Sequence, residues 1–201
     1  GESRSNEAQQ AAGWAGVMSL PRALSLSDDG KLGVCPVQAV ETLRGEHQRL
    51  TNIELSPTSS DFSIDIRGNT FEIIAEIDPS KALNCGIKLC CLPNSEEETY
   101  IFYDAVRKRL GVDRRRSKIL QDGEKSHDVQ EGEFEVSPGE TLCLRVFIDC
   151  SVIEVYANNS ACITSRVYPS RSDSTRVGVF AQGQARINSI DIWRLTSIWV
   201  S

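Results

Sequence analysis

Histidine, methionine and aromatic residues are scarce in this 201-residue chain: two, one and 6% of positions. With only His47 and His127, and no C-x-x-C pair, the ligand spacing of a zinc site is missing. No glycine-rich phosphate loop occurs, and no apolar run approaches the roughly 20 residues of a helical membrane span. Helical periodicity is absent as well. The charge balance is 22 basic against 28 acidic residues, a net of −6, so nothing global attracts nucleic acid or an anionic membrane. Cysteine is plentiful by contrast. The seven, Cys35, Cys85, Cys90, Cys91, Cys143, Cys150 and Cys162, are odd in number and cannot all pair internally. Their simplest reading is as small buried apolar residues, with room for one or two bridges.

What the chain has is β alternation. In residues 141–169, TLCLRVFIDCSVIEVYANNSACITSRVYP, an aliphatic row of Leu142, Leu144, Val146 and Ile148 alternates with Cys143, Arg145, Phe147 and Asp149. Asp149-Cys150-Ser151 reads as a tight turn, 152–156 as a return strand, and Asn158-Asn159-Ser160 as a second turn before a third strand over 161–168. Pro169 ends that strand. A hairpin is expected over 23–26 and 32–37 around Asp28-Asp29-Gly30. Further strands are expected at 52–55 and 62–66, at 69–78 stopped by Pro79, and at 85–92 and 99–105. Beyond these, 45–60 otherwise reads as loop, 121–132 as a polar loop, and 182–184 as a turn between strands 177–181 and 185–193. About a dozen short strands with turns between them mean an all-β antiparallel sandwich. Residues 1–12 are polar and read as a terminal arm or the end of a longer element.

Three features invite functional readings. The run RKRLGVDRRRSK at 107–118 is strongly basic, but Leu110 and Val112 alternate as a strand and no aromatic residue sits among the charges, which favours an ordinary solvated strand over a nucleic-acid patch. Asp149 and Glu154 could suggest a carboxylate pair; a turn-capping Asp, and a strand Glu paired with Arg145 or Arg166, is the simpler expectation. Ser126, His127 and Asp128 are sequence neighbours and cannot converge as a triad. Asn158-Asn159-Ser160 is also a glycosylation sequon at an expected exposed turn.

Asp149, Ser151, Glu154 and Tyr156, followed by Arg166, Tyr168 and Pro169, resemble the D-x-S-x-x-E-x-[FY] … R-x-[YF]-P signature of the C-terminal β-sandwich in glycoside hydrolase family 32, the invertases, inulinases and fructosyltransferases. Trp14, Ser19, Leu20, Pro21 and Arg22 resemble its W-x-x-x-x-S-[LIV]-P-R segment. Tyr103, Asp104, Leu110, Val112, Asp113, Arg114 and Ser117 resemble its Y-D-x(5)-L-x-V-D-R-x-x-S stretch, which makes Asp113-Arg114 a turn or interface pair. Residues 36–44, PVQAVETLR, match its P-V-x-E-[LV]-x-x-L-R loosely, and Trp193 its terminal [LIV]-x-[LIVA]-W. The resemblance covers 13 to about 196.

It implies a two-sheet, jelly-roll or lectin-like sandwich behind a five-bladed catalytic propeller. Residues 1–22 would be the tail of that propeller and a linker, and 23–201 the sandwich. The family's catalytic carboxylates lie in propeller motifs, N-D-P-N-G, R-D-P and E-C, that do not occur here. The chain is therefore expected to hold no catalytic residue, no metal and no cofactor. Its expected partners are the propeller, sucrose or fructan through the parent enzyme, and a second copy in a homo-oligomer. Gly1 at the start, and Met18 inside a motif, read as a piece of a longer polypeptide, for which the resemblance implies a secreted or vacuolar route. Two other readings compete: a free carbohydrate-binding module stacking sugars on Trp14, Trp199 or Tyr156, and an inactive remnant.

Overall fold

A computed structural model describes residues 6–13, 16–26, 30–120 and 128–198. In chain order it has a short helix α1 (Asn6–Ala12), β1 (Arg22–Leu26), β2 (Leu32–Pro36), a 3-10 helix (Gln38–Leu43), β3 (Arg44–Leu55), β4 (Asp61–Arg67), β5 (Thr70–Cys91), β6 (Thr99–Asp104), β7 (Arg109–Asp113), β8 (Val129–Glu133), β9 (Leu142–Asp149), β10 (Val152–Ala157), β11 (Ala161–Arg166) and β12 (Arg176–Leu195). The expected triplet is present: β9, β10 and β11 pair in antiparallel order, with Asn158 and Asn159 both at positive φ in their turn. The hairpin forms too, Arg22 opposite Pro36 through Leu26 opposite Leu32; its 27–29 turn lies outside the described residues.

Two strands are much longer than expected. β5 has 22 residues and β12 has 20, and they pair with each other along almost their whole length. The first part of β5 (70–77) also pairs with β9, while its last part (84–89) pairs with β6. β12 pairs with β4 through its first residues and with β3 through its last. Two sheets result, β11-β10-β9-β5-β12-β3 and β8-β7-β6-β5-β12-β4, joined through strands that pass from one to the other.

The corner explains the two misplaced boundaries. Pro79 was expected to stop a strand and Gln182-Gly183-Gln184 to form a turn. Instead they sit at one level of neighbouring antiparallel strands, where the ladder shifts register between Gln182 and Gly183 and again between Gln184 and Arg186. Proline lacks a donor, and Gly183 has φ +97° with Lys81 O 2.7 Å from where a Cβ would stand. Losing a few rungs bends both strands together without ending either.

The other differences also have physical causes. β3 replaces most of the loop expected at 45–60. Asn52, at φ 57°, resets its alternation, so Leu50 and Ile53, three apart, both pack on the core. β8 lies in the expected 121–132 loop and is a polar edge strand against β7; residues 121–127 lie outside the described set.

Between the sheets one contiguous core forms. From the first come Phe71, Ile73, Ile77, Leu142, Leu144, Val146, Ile148, Ile153 and Val155; from the second Ile87, Leu89, Ile101, Leu110 and Val112. Each such side chain contributes about 1.5–3 kcal/mol on burial. The bridges allowed by sequence are not formed: all seven cysteines are free, and burial pushes the Cys85, Cys90 and Cys91 thiols up to about 12.

Candidate docking interface

Alternation that sends the aliphatic row inward sends the other row outward. Across the outer face of the first sheet the register aligns Thr164, Glu154, Phe147, Glu72, Trp193 and His47. The next row is Cys162, Tyr156, Arg145, Ile74, Asp191 and Arg49. Over half of this face lie residues 16–26 and 30–44. Phe147 and Tyr156, outside the main core, are thereby buried in a second cluster with Val40, Leu20, Val34, Val37 and Leu195.

Glu154 is the clamp. It is 2% exposed and accepts from the Leu20 amide at 2.5 Å, Arg22 Nη2 at 3.0 Å and the Tyr156 hydroxyl at 3.1 Å. Arg22 also donates to Thr164 Oγ1 at 2.5 Å and lies 5.9 Å over the Tyr156 ring. Burial, reinforced by the Glu154 charge, pushes the Tyr156 phenol up. The expected partner of Glu154 was Arg145 or Arg166. The structure corrects this: Arg166 sits two residues further along β11 and donates to Ser151 Oγ at 2.8 Å, while Arg145 turns to Glu72. Asp149 is exposed at its turn, where Cys150 N donates to Asn69 O at 2.7 Å.

Glu72, which sequence reasoning missed, anchors the neighbouring network. Fully buried, it takes a two-point bond from Arg44 (Nε to Oε2 2.7 Å, Nη2 to Oε1 2.8 Å) and a third from Arg145 Nε at 2.7 Å. Those bonds hold the Arg44 guanidinium above its ordinary range. Glu41 adds contacts to Arg44 at 3.5 Å and Arg145 at 3.4 Å. Arg44 lies 4.2 Å over the Trp193 ring, and His47 stacks on that ring at 4.6 Å. His47 and Arg49 converge on Asp191 at 2.7 and 3.2 Å. The signal available was alternation alone, which places Glu72 outward; nothing local says that an arginine 28 residues earlier covers it.

The remaining motif residues are structural ties. Pro21 O accepts from Val37 N at 3.0 Å. Asp113 holds Arg115 at 2.6 Å, and Arg114 Nη1 reaches Arg166 O at 3.2 Å, bridging the two sheets. Arg166 lies 5.2 Å over the Tyr168 ring, beside Pro169. Asn158 uses its side-chain carbonyl for Cys143 N at 2.7 Å and its amide for Glu140 at 2.9 Å and Thr141 O at 3.1 Å. Trp14 and Trp199 lie outside the described residues. The basic run is neutralised at home: Arg107 and Arg109 pair with Glu131, Lys108 with Glu135, Arg115 with Asp113 and Arg116 with Glu98.

Beside the Glu154 clamp the face opens into an apolar groove of about 660 Å³, lined by Met18, Leu20, Leu43, Phe147, Leu195 and Ile198 among others. Met18 is 93% exposed and Ile198 68%. Every oxygen of Glu154 and Glu72 is occupied by a donor of this chain, so the arrangement holds segments in place. An open apolar groove on such a braced face suits a packing partner.

Comparison with known proteins adds four findings. The family described as "Glycosyl hydrolases family 32 C terminal" matches residues 39–194. A sucrose-6-phosphate hydrolase of Zymomonas mobilis is 30% identical over 192 residues, covering 92% of this chain and 36% of that protein. An acid beta-fructofuranosidase of Vicia faba is 28% identical, covering all of this chain and 37% of its own length. The chain thus spans about a third of the curated relatives it matches. The crystal structure of fructan 1-exohydrolase IIa from Cichorium intybus superposes with a TM-score of 0.81 at 24% identity, over 98% of this chain and 44% of that one. That likeness establishes the sandwich fold.

Proposed function

The chain belongs to the C-terminal family of the family 32 glycosyl hydrolases, and from that premise we propose that it is the non-catalytic β-sandwich of a β-fructofuranosidase-type enzyme. Its role in this reading is to brace a catalytic propeller. The observation that carries the proposal is the outer face of the first sheet. There Glu154 clamps Leu20 and Arg22, at the end of the segment resembling the propeller's finish, beside an exposed apolar groove. Residues 1–22 are read as propeller tail and linker, 23–201 as the sandwich.

The parent reaction in this reading is hydrolysis or transfer at a fructosyl bond of sucrose or a fructan, by a retaining carboxylate pair on the propeller. A secreted or vacuolar route belongs to the proposal, and Asn158 would be its glycan acceptor only by giving up one of its two amide bonds, to Glu140 or to Thr141. The competing sugar-platform reading loses Tyr156, which is 1% exposed beneath the covering segment.

The test is the full-length protein with Met18→Asp and, separately, with this domain deleted. Both should lower the melting temperature of the catalytic domain and its activity on sucrose or inulin. Unchanged stability and activity after deletion would overturn the bracing role.

A further inference from the structure

The outer face of the second sheet is built differently. β6 sends Ile101 and Tyr103 into the core and Tyr100, Phe102 and Asp104 out. Across the face one row reads Glu131, Gly111, Phe102, Gly86, Phe180 and Asp61. The glycines set its shape. A Cβ on Gly111 would stand 2.4 Å from Phe102 Cζ, so the Phe102 ring lies flat along the sheet, and nothing rises between Phe102 and Phe180 at Gly86. Tyr100 packs edge-on against Phe180 at 4.8 Å. The result is a concave pocket of about 650 Å³ with an aromatic floor.

Its rim carries both charges, fixed by one another. Lys88 Nζ lies 2.5 Å from Asp61 and 5.2 Å over the Tyr100 ring. Arg115 grips Asp113 at 2.6 Å, and Arg107 pairs with Glu131 and approaches Asp104 at 3.8 Å. Asn84, on the row with Asp104 and Gln182, has a buried Oδ1 that accepts no hydrogen bond among the described residues. A buried acceptor of this kind calls for a donor.

We propose that this pocket binds a neutral sugar unit. Hydroxyl groups donate and accept together, so they match paired carboxylates and cations that keep spare lone pairs and hydrogens, and they supply the donor that Asn84 Oδ1 needs. Carbon-rich sugar faces match the aromatic floor, and the volume is that of a small-molecule site. A phosphate or polyanion is disfavoured, since Asp61, Asp104, Asp113 and Glu131 outnumber Lys88, Arg107 and Arg115. The ligand class comes from the lining; only the choice of first probe rests on the proposed function.

The test titrates the 201-residue chain with a fructo-oligosaccharide, with maltotriose and with inorganic phosphate, read by amide NMR shifts and calorimetry. At least one sugar should move the amides of residues 84–88, 100–104 and 180–182. Asn84→Ala should weaken binding at least tenfold. Arg115→Ala, on the exposed rim, should weaken it several-fold with an unchanged melting temperature. Either sugar at this face supports the site, and the deletion experiment above judges the fructosidase reading separately. No shift with either sugar at hundredfold excess, shifts confined to the Trp193 face, or displacement of the sugar by phosphate would overturn it.

Discussion

On the outer face of the first sheet Glu72 and Glu154 are 0% and 2% exposed; on that of the second Arg107 and Arg115 stand 57% and 64% exposed. Both faces are the polar side of a period-two strand set in one sandwich. The difference is the cover. Residues 16–26 and 30–44 lie over the first, so its carboxylates are desolvated and must be met by several donors each. The second keeps its ion pairs near water, where each is worth about 0–1 kcal/mol. Equal numbers of drawn salt bridges therefore mean unequal energies: the first face holds a segment of chain, and the second keeps an open pocket.

Glu72→Ala should break this contrast hardest. It leaves Arg44 and Arg145 facing each other without their shared anion and should destabilise the fold by about 3–5 kcal/mol in urea unfolding. Glu154→Ala should cost about 2–3 kcal/mol, since bonds to a charged acceptor are lost, and should expose the chain near Leu20 and Arg22 to trypsin. Protection equal to that of the unaltered chain would refute the clamp. Asn158→Ala removes three bonds that tie the β10–β11 turn to residues 140–143 at the start of β9 and should cost about 1–2 kcal/mol. Lys108→Ala, on the open side, should cost under about 1 kcal/mol.

Acid sharpens the contrast from another direction. Burial opposes the Glu97 charge, yet donors from Ser174, Ser170 and Ile119 together hold its carboxyl below the usual range. A carboxyl depressed in the folded state stabilises above its unfolded pKa and loses that contribution as pH falls through the folded one. Stability should therefore drop on acidification below the ordinary glutamate range, and Glu97→Gln should flatten that limb.

The parts of the fold legible in sequence were those whose signal is local. The row Leu142, Leu144, Val146 and Ile148 gave β9 its faces, and Asn158-Asn159 marked a turn that needs positive φ. β5 and β12 were read as broken because Pro79 and Gly183 punctuate them; that both breaks fall at one level is a fact of pairing, not of either segment. Only the 52–55 end of β3 was expected, because Asn52 breaks the alternation with the residues before it. At the candidate interface, Glu154 and Arg22 were both singled out by motif, but their meeting spans 132 residues and no spacing rule reaches that far. The surplus arginines at 107–116 made sense once β8 brought Glu131 and Glu133 alongside.

Hydrogen exchange, compared between this chain alone and the same chain joined to the catalytic propeller proposed for it, tests the central claim most directly. The account predicts added protection at residues 18–21, 147–152 and 195–198, around the groove beside Glu154, and none at 84–88 or 100–104. Protection appearing on the second sheet's outer face, or on neither, would contradict it.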